Sequence, residues 1–149
     1  MRNPQPAMTP ALLVTEYFPP VTGGAARWFD VVLKNAQRLA WTVVTQPVEG
    51  APEREEIGPH TVLRPAWWRV EASLFKINAA RAYGRLLTCL SELIRREKPE
   101  VIHAMPAYGA AYAASIAARR FRVPFVTHVF GEEFGMQGRA LHRRFLMRR

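Results

Sequence analysis

A chain of 149 residues, 49% hydrophobic and 22% charged, has the size of one domain and enough apolar surface to bury a single core. Its one cysteine, Cys89, excludes an internal disulfide framework and a cysteine zinc site, so a reducing, cytoplasmic setting is expected. The net charge of +9 lies entirely in residues 76–149, where fourteen Lys/Arg face five Asp/Glu, because residues 1–75 hold seven of each.

Residues 1–10, with Pro4, Pro6 and Pro10, show no apolar period and are expected to form a disordered lead-in to a domain over residues 11–149. Ala11–Phe18 (ALLVTEYF) is an apolar run of strand formers, the pattern of a strand buried on both faces. Pro19 and Pro20 end it, and Gly23 and Gly24 precede a helix expected over Ala25–Ala40, where Phe29, Val32, Leu33, Ala36, Leu39 and Ala40 form one face. Trp41–Thr45 is the second expected strand. Gln46–Pro59, rich in Pro, Gly and Glu, is expected to be an exposed loop, and Thr61–Arg64 a third strand. A helix follows from Ala79 to Lys98, stopped by Pro99; then a fourth strand at Val101–Met105, an Ala-rich helix at Tyr108–Phe121 and a fifth strand at Pro124–Phe130. Such alternation predicts βαβ units with right-handed crossovers: a Rossmann-like parallel sheet with helices on both faces. Arg139–Arg149 has helical spacing but no stop signal, so the chain is expected to be truncated, with the fifth strand left as a self-associating apolar edge.

In such a sheet a ligand sits beyond the carboxyl ends of the strands, near the reversal of strand order. Gly23 and Gly24 lie there, and the amides of the helix that follows could hold an anion. The loop is neither the GxGxxG fingerprint nor a P-loop, which disfavours a nicotinamide or ATP site. His103 and His128 lie in apolar strands near those ends, where packing and function are both open readings. Glu16, at the end of the first strand, must be paired or meet an acceptor, since burying it alone is costly. Trp67 and Trp68, followed by Arg69, Leu74, Phe75 and Lys76, read either as a packed loop or as a segment lying on a membrane or acceptor tail. Arg119, Arg120 and Arg122 read as a solvated helix face or as an attraction to anionic lipid. No metal-ligand spacing is present, and no cofactor is expected.

Three segments carry a resemblance: LLVTEYFPPVTGGAAR at Leu12–Arg27, KPEVIHAMPAYGAAYAA at Lys98–Ala114 and VPFVTHVFGEEF at Val123–Phe134. In order and spacing they resemble the amino-terminal domain of family 4 glycosyltransferases of the GT-B fold, over residues 11 to 149. The resemblance implies a retaining, metal-independent enzyme of two domains that moves a sugar from a nucleotide-sugar to a glycan or lipid-linked acceptor. The amino-terminal domain would be the acceptor side, and a carboxy-terminal, donor-binding domain would come from elsewhere, so the chain alone should be inactive. It also implies that Gly23, Gly24 and Arg27 face the donor phosphates and transferred sugar. Glu16, His103, Glu132 and Glu133 would lie on the acceptor side. The family's usual histidine falls at Phe130 here, and His128, two residues upstream on the same strand face, is the candidate to replace it. A peripheral place at the inner membrane face fits that reading. The rival readings are a noncatalytic subunit that docks with a partner chain and, less well supported, a basic nucleic-acid module, which lacks a recognition helix or interleaved basic and aromatic residues.

Overall fold

The computed structural model describes residues 8–68, 77–105 and 109–129. Among these residues nine elements follow one another: β1 (Thr9–Thr15), α1 (Gly24–Asn35), β2 (Leu39–Val44), β3 (Arg54–Ile57), β4 (His60–Leu63), α2 (Ile77–Glu97), β5 (Val101–Met105), α3 (Gly109–Phe121) and β6 (Phe125–Thr127). Among the described residues the strands form one sheet in the order β3-β4-β2-β1-β5-β6, parallel except for the antiparallel β3–β4 pair.

Side chains alternate across the sheet, so one strand feeds two cores. Leu12, Val14, Val44, Ile102 and Ala104 meet Leu86, Leu90, Leu93 and Ile94 of α2 and the alanines of α3. Ala11, Leu13, Val43, Val62 and Met105 face the other way and meet Phe29 and Leu33 of α1. Small residues bring α3 close: Ala110, Ala114 and Ala117 are fully buried, and a side chain on Gly109 would run into the ring of Tyr83. At the amino end of the sheet, His60 is 3% exposed. Its Nδ1 accepts the Trp41 N–H at 3.1 Å and its Nε2 lies 3.0 Å from the Leu33 carbonyl, tying α1 to β2 and β4.

The Rossmann-like expectation holds, with helices on both faces, but several boundaries differ. β1 begins at Thr9, inside the stretch expected to be lead-in. Pro10 is tolerated near a strand start, and its carbonyl accepts the Glu100 N–H at 2.9 Å. The strand stops at Thr15 rather than Phe18, because the Thr15 hydroxyl accepts the Tyr17 N–H at 3.1 Å and donates to the Tyr17 carbonyl at 2.9 Å. Such a side-chain turn lifts the backbone off the ladder. Helix α1 ends at Asn35, five residues short of Ala40; Ala36 is extended, and Leu39 and Ala40 open β2 by pairing with Thr9 and Pro10. Their helical spacing is coincidental.

The expected exposed loop over Gln46–Pro59 is the largest correction, since it contains β3. Gly58 and Pro59 make the two-residue turn between Ile57 and His60, with Gly58 at φ 59°, a conformation that favours glycine. Glu56 accepts from the Thr61 hydroxyl at 2.7 Å and pairs with Arg54 at 2.8 Å. A charged edge strand of this kind resists pairing with other chains. The expected fifth strand, Pro124–Phe130, is β6 over Phe125–Thr127, and the Arg139–Arg149 segment lies outside the described residues.

Candidate active site

From β1 the chain passes through α1 to β2 and then β4 on one side, while β5 and β6 lie on the other. The reversal therefore falls between β1 and β5, and the crevice beyond their carboxyl ends is where such a fold binds ligands. Glu16 sits at this point, 5% exposed, with its N–H bonded to the Met105 carbonyl at 3.2 Å. That bond carries the β1–β5 pairing one residue past the ladder and leaves Glu16 buried just beyond the carboxyl end of β1.

Gly23 is the N-cap of α1 at φ 154°, ψ 161°, with no side-chain cap and no acidic residue in the first turn. The first amides of α1 thus retain their hydrogen-bonding capacity and the positive end of the helix dipole. Around Gly24 a Cβ would meet nothing within 4 Å, so its open side faces solvent rather than the core. Arg27 lies on the same turn, exposed, its N–H bonded to the Gly23 carbonyl at 3.0 Å.

His103 and His128 come together across β5 and β6. His128 continues the ladder through its N–H to the Ala104 carbonyl at 2.9 Å, and the register of β5 against β6 puts both imidazoles on the α1 side. Their rings stack at 5.1 Å, and His103 Nδ1 lies 2.8 Å from His128 Nε2, one nitrogen carrying the shared proton and the other accepting it. Trp41 closes against His103 edge-on at 5.0 Å. Trp28 and Phe29 of α1 close against His128 at 5.2 and 6.1 Å. The imidazole pair is thereby joined to the first turns of the helix that follows the glycine loop.

Burial, and secondarily His128 beside it, lowers the His103 pKa to about 4, and burial lowers that of His128. Both rings are neutral near pH 7 and suited to hydrogen bonding. In the unfolded chain they take up protons near pH 6.5, so between about 6.5 and 4 the unfolded state binds more protons and the fold weakens as the pH falls. Water reaches part of both rings, which moderates the effect to on the order of 1–2 kcal/mol. Urea melts at pH 7.5 and 4.5 should show this loss in the wild type and a smaller one in His103→Phe. An equal loss in both would remove the pair as its source.

Sequence reasoning missed Arg64, the residue that closes β4. Its side chain is 2% exposed, donates to the Pro19 carbonyl at 2.9 Å and the Pro52 carbonyl at 3.2 Å, and pairs with Glu55 at 2.8 Å. Its guanidinium carbon lies 5.9 Å from the Phe18 ring centre. One side chain thus fastens the β3–β4 hairpin to the Phe18-Pro19-Pro20 turn that leads into the glycine loop, where Pro19–Pro20 is cis. A charged residue at the end of an apolar strand was its only signal.

Trp68 is buried in the α2–α3 core and Trp67 packs against it, so of the two readings the packed loop holds for that pair; Arg69–Lys76 lies outside the described residues. Arg119, Arg120 and Arg122 are exposed, as a solvated face requires. Phe130, Glu132 and Glu133 lie outside the described residues. Among the described residues no three potential ligands cluster for a metal, and no helix is long and apolar enough to cross a membrane.

A six-stranded Rossmann-like sheet with an uncapped glycine loop at its reversal point is the class of the GT-B half-domain, and solved structures agree. Sucrose-phosphate synthase from Thermosynechococcus elongatus matches with a TM-score of 0.64 at 12% identity, over 93% of this chain and 39% of its own. A Listeria monocytogenes protein given as a UDP-N-acetylglucosamine 2-epimerase matches with a TM-score of 0.57 at 15% identity, over 94% and 36%. The C-terminal domain of a Pyrococcus furiosus hydrogenase matches with 0.53 at 15% identity, over 86% and 96%, so the fold serves other purposes as well. No curated protein sequence is detectably similar. The glycosyl transferase 4-like family model matches residues 35–148, and the chain belongs to that family. It spans well under half of the synthase and of the epimerase chain.

Proposed function

We propose that this domain is the acceptor-side half of a retaining, metal-independent glycosyltransferase that moves a hexose from a nucleotide-sugar to a glycan or lipid-linked acceptor. The observation that supports it best is the junction of the His103–His128 pair with the first turn of α1, directly behind the glycine loop. The uncapped amides of Gly24 and Ala25, with Arg27, face the departing diphosphate and the sugar it leaves. Neutral donors of this kind stabilise charge as it develops on a leaving group. His128 offers a hydrogen bond to the transferred sugar, backed by His103, and Glu16 orients a hydroxyl in the crevice. Glu132 and Glu133 are proposed as further acceptor contacts. A nucleotide-binding domain supplied by a second chain or a further segment completes the reaction, and the work takes place on the cytoplasmic side, at the membrane surface where the acceptor is a lipid.

The two glycines separate binding from folding. Gly24→Val should leave the melting temperature within about 2 °C, since no neighbour is displaced, yet lower transfer at least roughly tenfold by filling the space where the ligand approaches. Gly23→Ala should instead cost about 1–2 kcal/mol of stability, because its φ is one that side chains avoid. Transfer from labelled UDP- and GDP-hexoses to oligosaccharide and lipid acceptors, with a donor-binding domain of the family present, measures the first effect. Full transfer by Gly24→Val would remove the glycine loop from the site.

A further inference from the structure

The contacts of Arg64 exceed what an ion pair with Glu55 requires. Nη2 serves two segments at once, donating to the Pro19 carbonyl at 2.9 Å and to Glu55 at 2.8 Å, while Nη1 donates to the Pro52 carbonyl at 3.2 Å. The backbone N–H of Arg64 adds a bond to the Glu53 carbonyl at 2.7 Å. The Nε–H is buried and, among the described residues, meets no acceptor. A partly exposed carboxylate returns little for taking a guanidinium out of water, and an aliphatic pair would close the strand at less cost. What an aliphatic pair could not do is hold two chain segments at one distance. On the loop side that distance is set for the turn after β1. Phe18 is anchored in the core on the α1 side, with the Arg64 guanidinium carbon 5.9 Å from its ring centre, and the Val21 N–H closes the turn on the Phe18 carbonyl at 3.1 Å. Thr22 alone then separates the turn from Gly23, the N-cap of α1.

We infer that Arg64 is a positioning residue for the glycine loop: it joins the Phe18–Val21 turn to the β3–β4 hairpin, so that the edge of the sheet and the first amides of α1 are set as one unit. A displacement of about 1 Å in groups that meet a reacting ligand can cost on the order of a hundredfold in rate, so the turn needs an anchor that packing of its prolines does not provide. The guanidinium supplies it through a planar fork whose donors have fixed directions. Coupling of this kind is reciprocal: what steadies the loop also steadies the hairpin. This inference rests on the transferase reading and deepens it by naming the residue that aims the loop without touching the ligand.

Transfer kinetics and hydrogen exchange test this on the full chain with a donor-binding domain of the family present, at a temperature where every variant is folded. With UDP-glucose or GDP-mannose as donor, the Arg54–Ile57 amides of the wild type should exchange at least about twofold more slowly than without it, although β3 lies at the edge of the sheet, away from the crevice. Arg64→Lys should lose this protection and transfer at least about fivefold more slowly. Thr61→Val is the control. It removes the hydroxyl that donates to Glu56 and loosens the same hairpin without touching Arg64, so transfer should stay within about twofold of the wild type. Wild-type transfer by Arg64→Lys, hairpin exchange indifferent to donor, or equal slowing by Thr61→Val would overturn the positioning role while leaving the transferase reading standing. Absence of transfer by the wild type from UDP- and GDP-hexoses alike would overturn both.

Discussion

Arg64→Met should lower the stability of the domain by about 3 kcal/mol, which for a domain of this size is a fall of roughly 6–12 °C in melting temperature. The guanidinium is 2% exposed, whereas its partner Glu55 is 38% exposed. Most of the loss therefore comes from the carbonyls of Pro19 and Pro52, which lose a charged donor, and less from the carboxylate, which water can reach. Burying an acceptor without its partner costs more than a surface ion pair contributes. Arg64→Lys should recover only part of the loss, since an ammonium cannot span two carbonyls and a carboxylate with the fork of a guanidinium. Glu55→Gln should be mild by comparison. Because Pro19 leads into the glycine loop, Arg64→Lys should also weaken nucleotide-sugar binding beyond what its melting temperature explains. Melting curves of the three variants decide the matter: a fall of less than about 2 °C for Arg64→Met would show that the hairpin and loop hold each other without it.

His128→Ala should reduce glycosyl transfer at least roughly tenfold, the low end of what a positioned polar group contributes, with the donor-binding domain present. The ring is half-buried, and its backbone N–H, which continues the sheet, survives the substitution. Folding should therefore be affected less than activity. His103→Phe should act in the same direction more weakly, because it removes the group that fixes the His128 tautomer while retaining the aromatic packing against Trp41. His128→Asn, which still offers a hydrogen-bond donor, should recover part of the rate. Equal transfer rates in the wild type and His128→Ala, at matched stability, would assign His128 to packing alone.

Elements whose apolar period matches their final environment were legible in the sequence. β5 falls where expected at Val101–Met105, and α2 ends beside Pro99 as its charge and proline pattern require. β3 was not legible, because Arg54-Glu55-Glu56-Ile57 has no alternating apolar face; its stability comes from polar cross-strand contacts and the Gly58-Pro59 turn. A reading that weighs hydrophobic period alone misses a charged edge strand. The end of α1 was misplaced for the opposite reason: Leu39 and Ala40 satisfy the helical spacing, and only their pairing with β1 shows that they are strand.

For the candidate site, Glu16, Gly23, Gly24 and Arg27 follow the carboxyl end of β1 and His128 follows that of β6, whereas His103 lies in the middle of β5. Their association was less visible. The two imidazoles are 25 positions apart, and only the β5–β6 register places them ring against ring. Arg64 reaches across 45 positions to Pro19, a link that neither local propensity nor any motif encodes.

The central proposal is that the glycine loop and the histidine pair of this glycosyl transferase 4-like domain meet the phosphates and sugar of a nucleotide-sugar held by the donor-binding domain. Amide-resolved NMR during titration with millimolar UDP- and GDP-hexoses, with a donor-binding domain of the family present, tests it most directly. The account predicts concentration-dependent shifts at Gly23, Gly24, Ala25, Ala26 and Arg27, together with His128 and the Trp28 indole N–H. Shifts confined to the opposite end of the sheet, around the cleft of about 190 Å³ lined by Pro10, Trp41, Leu93 and Glu97, or no shift at the glycine loop, would contradict it.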